Sequence, residues 1–240
     1  MKKIYPDMNE FCYETAAWFV MEAIKAIAAK GRFVVALSGG STPRQLFGEL
    51  AKDKWQKQLD WSKVLIFWGD ERFVPVTDAQ SNQKMAREAL LDHVPIPQKN
   101  IFPIPFLATA ELSAAQYEAD LKQVFAGLPQ FDLVFLGLGA DGHTASLFPG
   151  SAALREKQRW VCSSQPKVSG PARITLTYPV LNHALLICFL VTGREKAEMV
   201  RTILNDSPAG EGFPAQRIRP TSGELVWVLD QAAASLMEKV

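Results

Sequence analysis

Val34-Val35-Ala36-Leu37-Ser38-Gly39-Gly40-Ser41-Thr42-Pro43 decides the fold of this chain. An apolar run ends abruptly in small and hydroxylated residues, and a proline then opens a segment, Arg44 to Leu50, with helical spacing. The pattern predicts a buried strand, a glycine turn and a helix start, with Thr42 as N-cap and Pro43 at the first helical position. Backbone N–H groups at a helix start lack partners and carry the positive end of the helix dipole. Gly39 and Gly40 let a ligand approach the backbone, and Ser38, Ser41 and Thr42 add hydroxyl donors, so the turn suits a phosphate. It is not a Walker loop, because no Gly-Lys-Ser/Thr follows, nor a G-x-G-x-x-G dinucleotide fingerprint. An ordinary strand-to-helix turn, whose glycines serve only the bend, is the other reading.

The same grammar continues in both directions. Met8 to Lys30 carries Phe11, Ala16, Phe19, Val20, Ala23, Ile24 and Ile27 at helical spacing and stops at Gly31. Strands are expected at Arg32–Leu37, Val64–Trp68, Leu133–Leu136, Trp160–Ser163, Ile174–Thr177, Leu185–Val191 and Leu225–Leu229. Helices are expected over 81–93, 112–125, 194–204 and 231–239, with a proline-laden connector, Val94 to Pro105, holding one extended piece near Ile101. Near-continuous apolar strands alternating with amphipathic helices imply an α/β fold, a mostly parallel sheet with helices on both faces. No repeat or linker divides residues 1–240, which read as a single domain.

Composition narrows the function. The chain has 240 residues, 48% of them hydrophobic and 21% charged, with a formal net charge of +1. That balance, with no dense Lys/Arg stretch, gives no electrostatic case for nucleic acid. The first ten residues lack the apolar core of a signal peptide, and the longest apolar run, Ala184 to Thr192, is too short to span a membrane. Cys12, Cys162 and Cys188 lie far apart without ligand-like spacing, as reduced thiols in a cytoplasmic protein would. No His-x-x-x-His or paired cysteines suggest a metal. The expected state is a monomer.

In a parallel sheet, ligands sit beyond the carboxyl ends of the strands. Val34–Leu37 delivers Ser38 to Thr42, Val64–Trp68 delivers Asp70, Glu71 and Arg72, and Leu133–Leu136 delivers Asp141 and His143. His143 is the candidate general base. It follows a glycine-rich turn with Asp141 two residues before it, and a neutral imidazole takes a proton from water near pH 7 while a carboxylate fixes its tautomer. A histidine that only packs locally is the alternative. His93, before Val94-Pro95, and His183, between two strands, suit structural roles. Asp70 could orient a substrate hydroxyl or a water, and Arg72 could bind an oxyanion or sugar oxygen, although such charge clusters are usually solvated. Arg173 and Lys196, each more often a surface charge, would complete a charge-assisted clamp on a phosphate at Ser41 and Thr42.

Five segments together resemble the 6-phosphogluconolactonase family. They are Ser-Gly-Gly-Ser-Thr-Pro at 38–43, Trp-Gly-Asp-Glu-Arg-Phe-Val-Pro at 68–75 and Ser81-Asn82. Gly-Leu-Gly-Ala-Asp-Gly-His-Thr-Ala-Ser-Leu-Phe-Pro at 137–149 is the most specific, and Arg-Ile-Thr-Leu-Thr at 173–177 completes the set. The resemblance implies a Rossmann-like α/β sandwich that hydrolyses a small-molecule sugar phosphate lactone without a cofactor. It matches Ser41, Thr42, Arg173 and Lys196 to the phosphate grip and His143 to the general base, with Asp141 or Asp70 orienting the base or the water. Arg72 or backbone N–H groups of the 137–142 turn would meet the developing oxyanion. Glucosamine-6-phosphate deaminases, more distant members, continue the Asp-Gly-His turn as Ile-Ala-Phe-Asn-Glu, where this chain has Thr144-Ala145-Ser146-Leu147-Phe148. They also favour Asp-Glu-Tyr over Asp70-Glu71-Arg72. A histidine common in lactonases shortly before Ser-Asn is replaced here by Asp78 or a neighbour. A non-catalytic sugar-phosphate sensor is the reading from another class.

Overall fold

The computed structural model describes residues 1–166, 170–205 and 212–237. In chain order its elements are β1 (Lys2–Tyr5), α1 (Met8–Lys30), β2 (Phe33–Leu37), α2 (Ser41–Leu50), α3 (Asp53–Gln56), β3 (Val64–Trp68) and β4 (Asp70–Arg72). Then follow α4 (Asn82–Ala86), α5 (Ala110–Val124), β5 (Leu133–Leu136), β6 (Val161–Ser164), β7 (Arg173–Leu176), α6 (Tyr178–Leu181), β8 (Leu186–Val191), α7 (Ala197–Asn205) and β9 (Glu224–Asp230). Six strands form one sheet in the order β1-β9-β8-β5-β2-β3, and every pairing in it is parallel.

The apolar runs become strands because both faces of this sheet are covered. All five residues of β2 and all six of β8 are buried. Phe33 and Phe135 meet Phe19 of α1, and Phe135 also meets Phe47 of α2. Phe67 points the other way and packs on Phe125, just past α5, and on Phe131. Asp7 caps α1 by accepting from the N–H groups of Asn9 and Glu10, and Gly31 ends it at φ 77°, a conformation in which a side chain would be strained.

A second sheet was not anticipated. Its order is β4-β7-β6, antiparallel throughout, and the Asp70-Glu71-Arg72 segment, expected only as residues delivered by the end of Val64–Trp68, is its edge strand. Three charged residues show no period-two apolar pattern, and their partner strand lies some hundred residues away. β1 was also missed, being a four-residue edge strand with two lysines. Elsewhere α4 continues as a π-helical turn over Arg87–Leu91. The expected 194–204 helix begins as a tight turn, Arg194–Lys196. The expected helix over 231–239 is a run of turns up to 236, and residues 238 and 239 lie outside the described set.

Two residues, Tyr117 and Gly69, fix the end of β3 where the site forms. The Tyr117 hydroxyl of α5 accepts from Trp68 N at 2.9 Å and donates to Trp68 O at 3.0 Å. Beyond it, Gly69 donates to Leu37 O and accepts from Leu176 N, each at 2.9 Å. The end of β3 is thereby turned from the parallel sheet into the antiparallel one.

Candidate active site

A cavity of about 280 Å³ opens at the carboxyl ends of the parallel strands, lined by Ser38, Gly39, Gly40, Asp70, Arg72, Asn82, Gly137, Leu138, Gly139, His143, Ala145 and Lys196. Three separate strand ends therefore converge. A larger groove, about 610 Å³, lies at the opposite edge beside Met1, Trp18 and Met21. Its lysines pair with Glu22 and Asp132 or lie over Trp18. The smaller cavity holds the histidine, the glycine turn and a lysine unpaired among the described residues, which makes it the candidate site.

The glycine turn departs from its expected capping. α2 begins at Ser41, Gly40 occupies the cap position at φ 109°, and Pro43 is the third helical residue. Thr42 is not the N-cap; its hydroxyl lies 2.6 Å from that of Thr192, tying this helix start to the Gly193–Lys196 segment. Gly39 is required by packing, since a Cβ there would fall 1.8 Å from Asn82 Oδ1. Asn82 is in turn fixed by its Nδ2, which donates to Asp70 O at 3.0 Å. Neither Asn82 nor Thr192 was given a role from the sequence, though Ser81-Asn82 is one of the matching segments.

His143 sits in a loop without regular structure. Its Nδ1 lies 2.5 Å from Asp141 Oδ1, and its ring leans on Phe148 at 4.7 Å between centroids. Gly139 makes room for the imidazole, because a Cβ there would lie 2.1 Å from Nδ1. Burial acts to raise the Asp141 carboxyl, but the hydrogen bond and charge of His143 outweigh it and hold it below its ordinary value. Asp141 thus stays anionic and fixes the ring with Nε2 free for water.

Asp70 takes a different part. Its Oδ2 accepts from Ser146 Oγ at 2.6 Å, so among the described residues Asp141 and not Asp70 holds His143. Glu71, buried, accepts from the N–H groups of Arg72, Asn82 and Gln83 and from the Ser81 hydroxyl, at 2.7 to 3.1 Å. Burial pushes its carboxyl above the ordinary range against those three backbone donors. Arg72 and Arg173 stand opposite one another across β4 and β7. Arg72 donates to Gln80 O at 2.8 Å and Arg173 to Pro171 O. Burial and then the Arg72 charge push the Arg173 guanidinium below its ordinary value, without neutralising a group of that basicity. Such facing cations are unfavourable unless an anion lies near. Ser41, Thr42, Asp141 and Arg173 do not line the cavity wall itself, whereas Lys196 does.

Ala145 is the one non-glycine described residue with positive φ, at 46°. A left-handed alanine costs about 1–2 kcal/mol, so its place two residues after His143 needs a cause.

A parallel sheet with an anion-suited turn and a histidine–aspartate pair at its carboxyl edge makes this an α/β protein with a candidate general base beside a candidate anion site. The sequence matches the family described as glucosamine-6-phosphate isomerases/6-phosphogluconolactonase over residues 6–227, and the chain belongs to that family. A 6-phosphogluconolactonase of Synechocystis sp. is 45% identical over 214 residues, covering 87% of this chain and 86% of its own. One from Nostoc sp. is 39% identical, with 98% of both chains covered. The solved structure of 6-phosphogluconolactonase from Trypanosoma cruzi is similar at a TM-score of 0.87 and 31% identity, covering all of this chain and 98% of that one.

Proposed function

We propose that the protein hydrolyses 6-phospho-D-glucono-1,5-lactone to 6-phospho-D-gluconate, the second step of the oxidative pentose phosphate pathway, by general-base activation of water. The observation that carries the reading is the Asp141–His143 pair, 2.5 Å apart, with Phe148 against the ring. Deaminases of the family carry a glutamate at the end of this turn, where this chain has the apolar ring of Phe148 against His143. The relatives that cover nearly the whole chain carry the lactonase name.

The steps follow from the groups present. Nε2 of His143 takes a proton from a water whose oxygen bonds to C1 of the lactone. The carbonyl electrons move onto its oxygen, where Arg72 or the backbone N–H groups of the 137–142 turn stabilise the charge. Collapse breaks the bond from C1 to the ring oxygen, and the imidazolium returns its proton to that oxygen. Lys196, Arg173 and the start of α2, with Ser41 and Thr42, bind the phosphate and fix the ring over the base. No step calls on a metal or nucleotide.

The protein is read as one domain, because a continuous core runs from Phe11 to Ala233. It is read as a monomer, the state expected from its sequence. A cytoplasmic location is supported by three free buried thiols. The test generates fresh lactone with glucose-6-phosphate dehydrogenase and follows its loss. Acceleration in proportion to protein is expected, with no ammonia released from glucosamine 6-phosphate. Lactone decay at its spontaneous rate, with 6-phosphogluconate still bound, would establish a sensor, and sustained ammonia release would establish a deaminase.

A further inference from the structure

The catalytic loop contains a conformation that its own sequence does not favour. Between His143 and Ser146 lies Ala145 at φ 46°, lining the cavity. Local hydrogen bonds shape the turn around it: Gly139 N donates to His143 O at 2.8 Å, Thr144 Oγ1 to Gly137 O at 2.8 Å and Leu147 N to Thr144 O at 3.0 Å. None of these is made by Ala145 or Ser146. What holds the residue after the strained one is the small sheet. Ser146 Oγ donates to Asp70 Oδ2 at 2.6 Å, and Ser146 N donates to Thr175 Oγ1 at 3.3 Å. Asp70 and Thr175 face each other directly across β4 and β7, and all three residues are buried. One residue is thus gripped by side chain and backbone from a single cross-strand pair.

We infer that the Asp70–Thr175 pair is a positioning device for the general base. By seating Ser146 it keeps Ala145 left-handed, and the turn so formed aims His143 at the cavity. A backbone conformation that costs energy persists only where its surroundings over-determine it, and such residues gather at functional sites. Asp70 is then a positioning residue with one oxygen committed to Ser146. Were the seat lost, Ala145 would relax to a right-handed conformation and swing the peptide that carries His143. Glycine at 145 would remove the reason to relax, because left-handed backbone is free of steric cost for glycine.

The inference rests on the lactonase reading, and its test separates the two. Ser146→Ala, Ala145→Gly and the double variant are compared with wild type for kcat, for inhibition by 6-phosphogluconate and for the low-field proton signal of the His143 Nδ1–Asp141 hydrogen bond. Ser146→Ala should lose about 10- to 100-fold in kcat, the cost of a misplaced group, with product inhibition nearly unchanged and the low-field signal broadened. Ala145→Gly alone is the reference for the double variant. Ala145→Gly combined with Ser146→Ala should recover most of the lost turnover and the signal, which a seat that only stabilised the fold would not do. Wild-type kcat in Ser146→Ala, or a loss that Ala145→Gly leaves in place, would overturn the inference. Should wild type show no lactonase activity, the low-field signal alone decides: loss and recovery across the same variants uphold the positioning role, and an unchanged signal overturns it.

Discussion

The six parallel strands hold their catalytic cargo by apolar packing, whereas the three antiparallel strands hold theirs by buried polar contacts. Ser38, Gly39 and the 137–143 turn leave strands whose every side chain is buried among hydrophobic neighbours. Asp70, Glu71 and Arg173 belong to strands where a carboxylate takes several donors and one guanidinium faces another. A strand buried on both faces tolerates no charge within it, so it can only deliver groups at its ends. A small polar sheet beside it can place charges along its length. The candidate active site is the seam between a scaffold that fixes position and one that fixes electrostatics.

The largest effect should come from the group at that seam. His143→Ala is expected to lose on the order of 10²–10⁴ in turnover, the usual worth of a placed general base. Binding of 6-phosphogluconate, measured by calorimetry, should change little, because phosphate recognition lies on other elements. Near-wild-type turnover in the variant would remove His143 from the mechanism.

Stability separates the two sheets next. Phe135→Ala empties a core position touched by Phe19 and Phe47 and should cost about 3–5 kcal/mol. In urea titrations it should shift the midpoint while leaving the kcat of the folded fraction intact. Glu71→Ala leaves the N–H groups of Asn82 and Gln83 and the Ser81 hydroxyl without their acceptor. At about 1–3 kcal/mol for each stranded buried group, its loss should be similar in size but should lower kcat/KM as well, since Asn82 lines the cavity. Equal effects of both substitutions on activity would erase the distinction between the sheets.

Legibility in the sequence follows the same division. Apolar runs announce parallel strands because burial on both faces leaves no room for polar residues, so Val34–Leu37, Val64–Trp68 and Leu133–Leu136 were all placed within a residue. The rule that ligands gather at strand ends then brought Ser38, Asp70 and His143 together in advance. β4 was not legible, because its strand character comes from a distant partner and not from its own three side chains. Nor was the seat of Ser146, which depends on a cross-strand pair from that unseen sheet. The assignment of Thr42 as cap failed by two residues: Gly40 at φ 109° lets the helix begin earlier.

The cationic clamp draws one member from each scaffold, Arg173 from the polar sheet and Lys196 from the turn beyond β8. Arg173→Ala and Lys196→Ala should each weaken 6-phosphogluconate binding by roughly 1.5–3 kcal/mol, the usual worth of a charge-assisted contact. Unphosphorylated gluconolactone should be a poor substrate and indifferent to either change. Lys196, which lines the cavity, should show the larger loss. Arg173 also relieves itself of Arg72 when removed, which offsets part of its effect. Equal sensitivity of both substrates would place these cations outside phosphate recognition.

The smallest effect on function is expected from the thiols, which lie in both scaffolds but not at the seam. Burial pushes Cys12 and Cys162 up to about 11, and Cys188, inside the parallel sheet, higher still. At pH 8 a thiol of that basicity is about one part in a thousand thiolate, and thiolate is the reactive form. Iodoacetamide at pH 8 should therefore leave activity unchanged and label the cysteines only in urea. The stability consequence appears on the alkaline side. A folded thiol that keeps its proton above the unfolded value near 8.5 makes the unfolded state the poorer proton binder at high pH. Stability from these groups is then complete below about pH 8.5 and is lost as pH rises toward 11. Thermal unfolding from pH 7 to 10.5 should show a falling Tm only in the upper part of that range, and Cys162→Ala should flatten the fall. Rapid loss of activity on alkylation at pH 8 would mean that a thiol reaches the cavity after all.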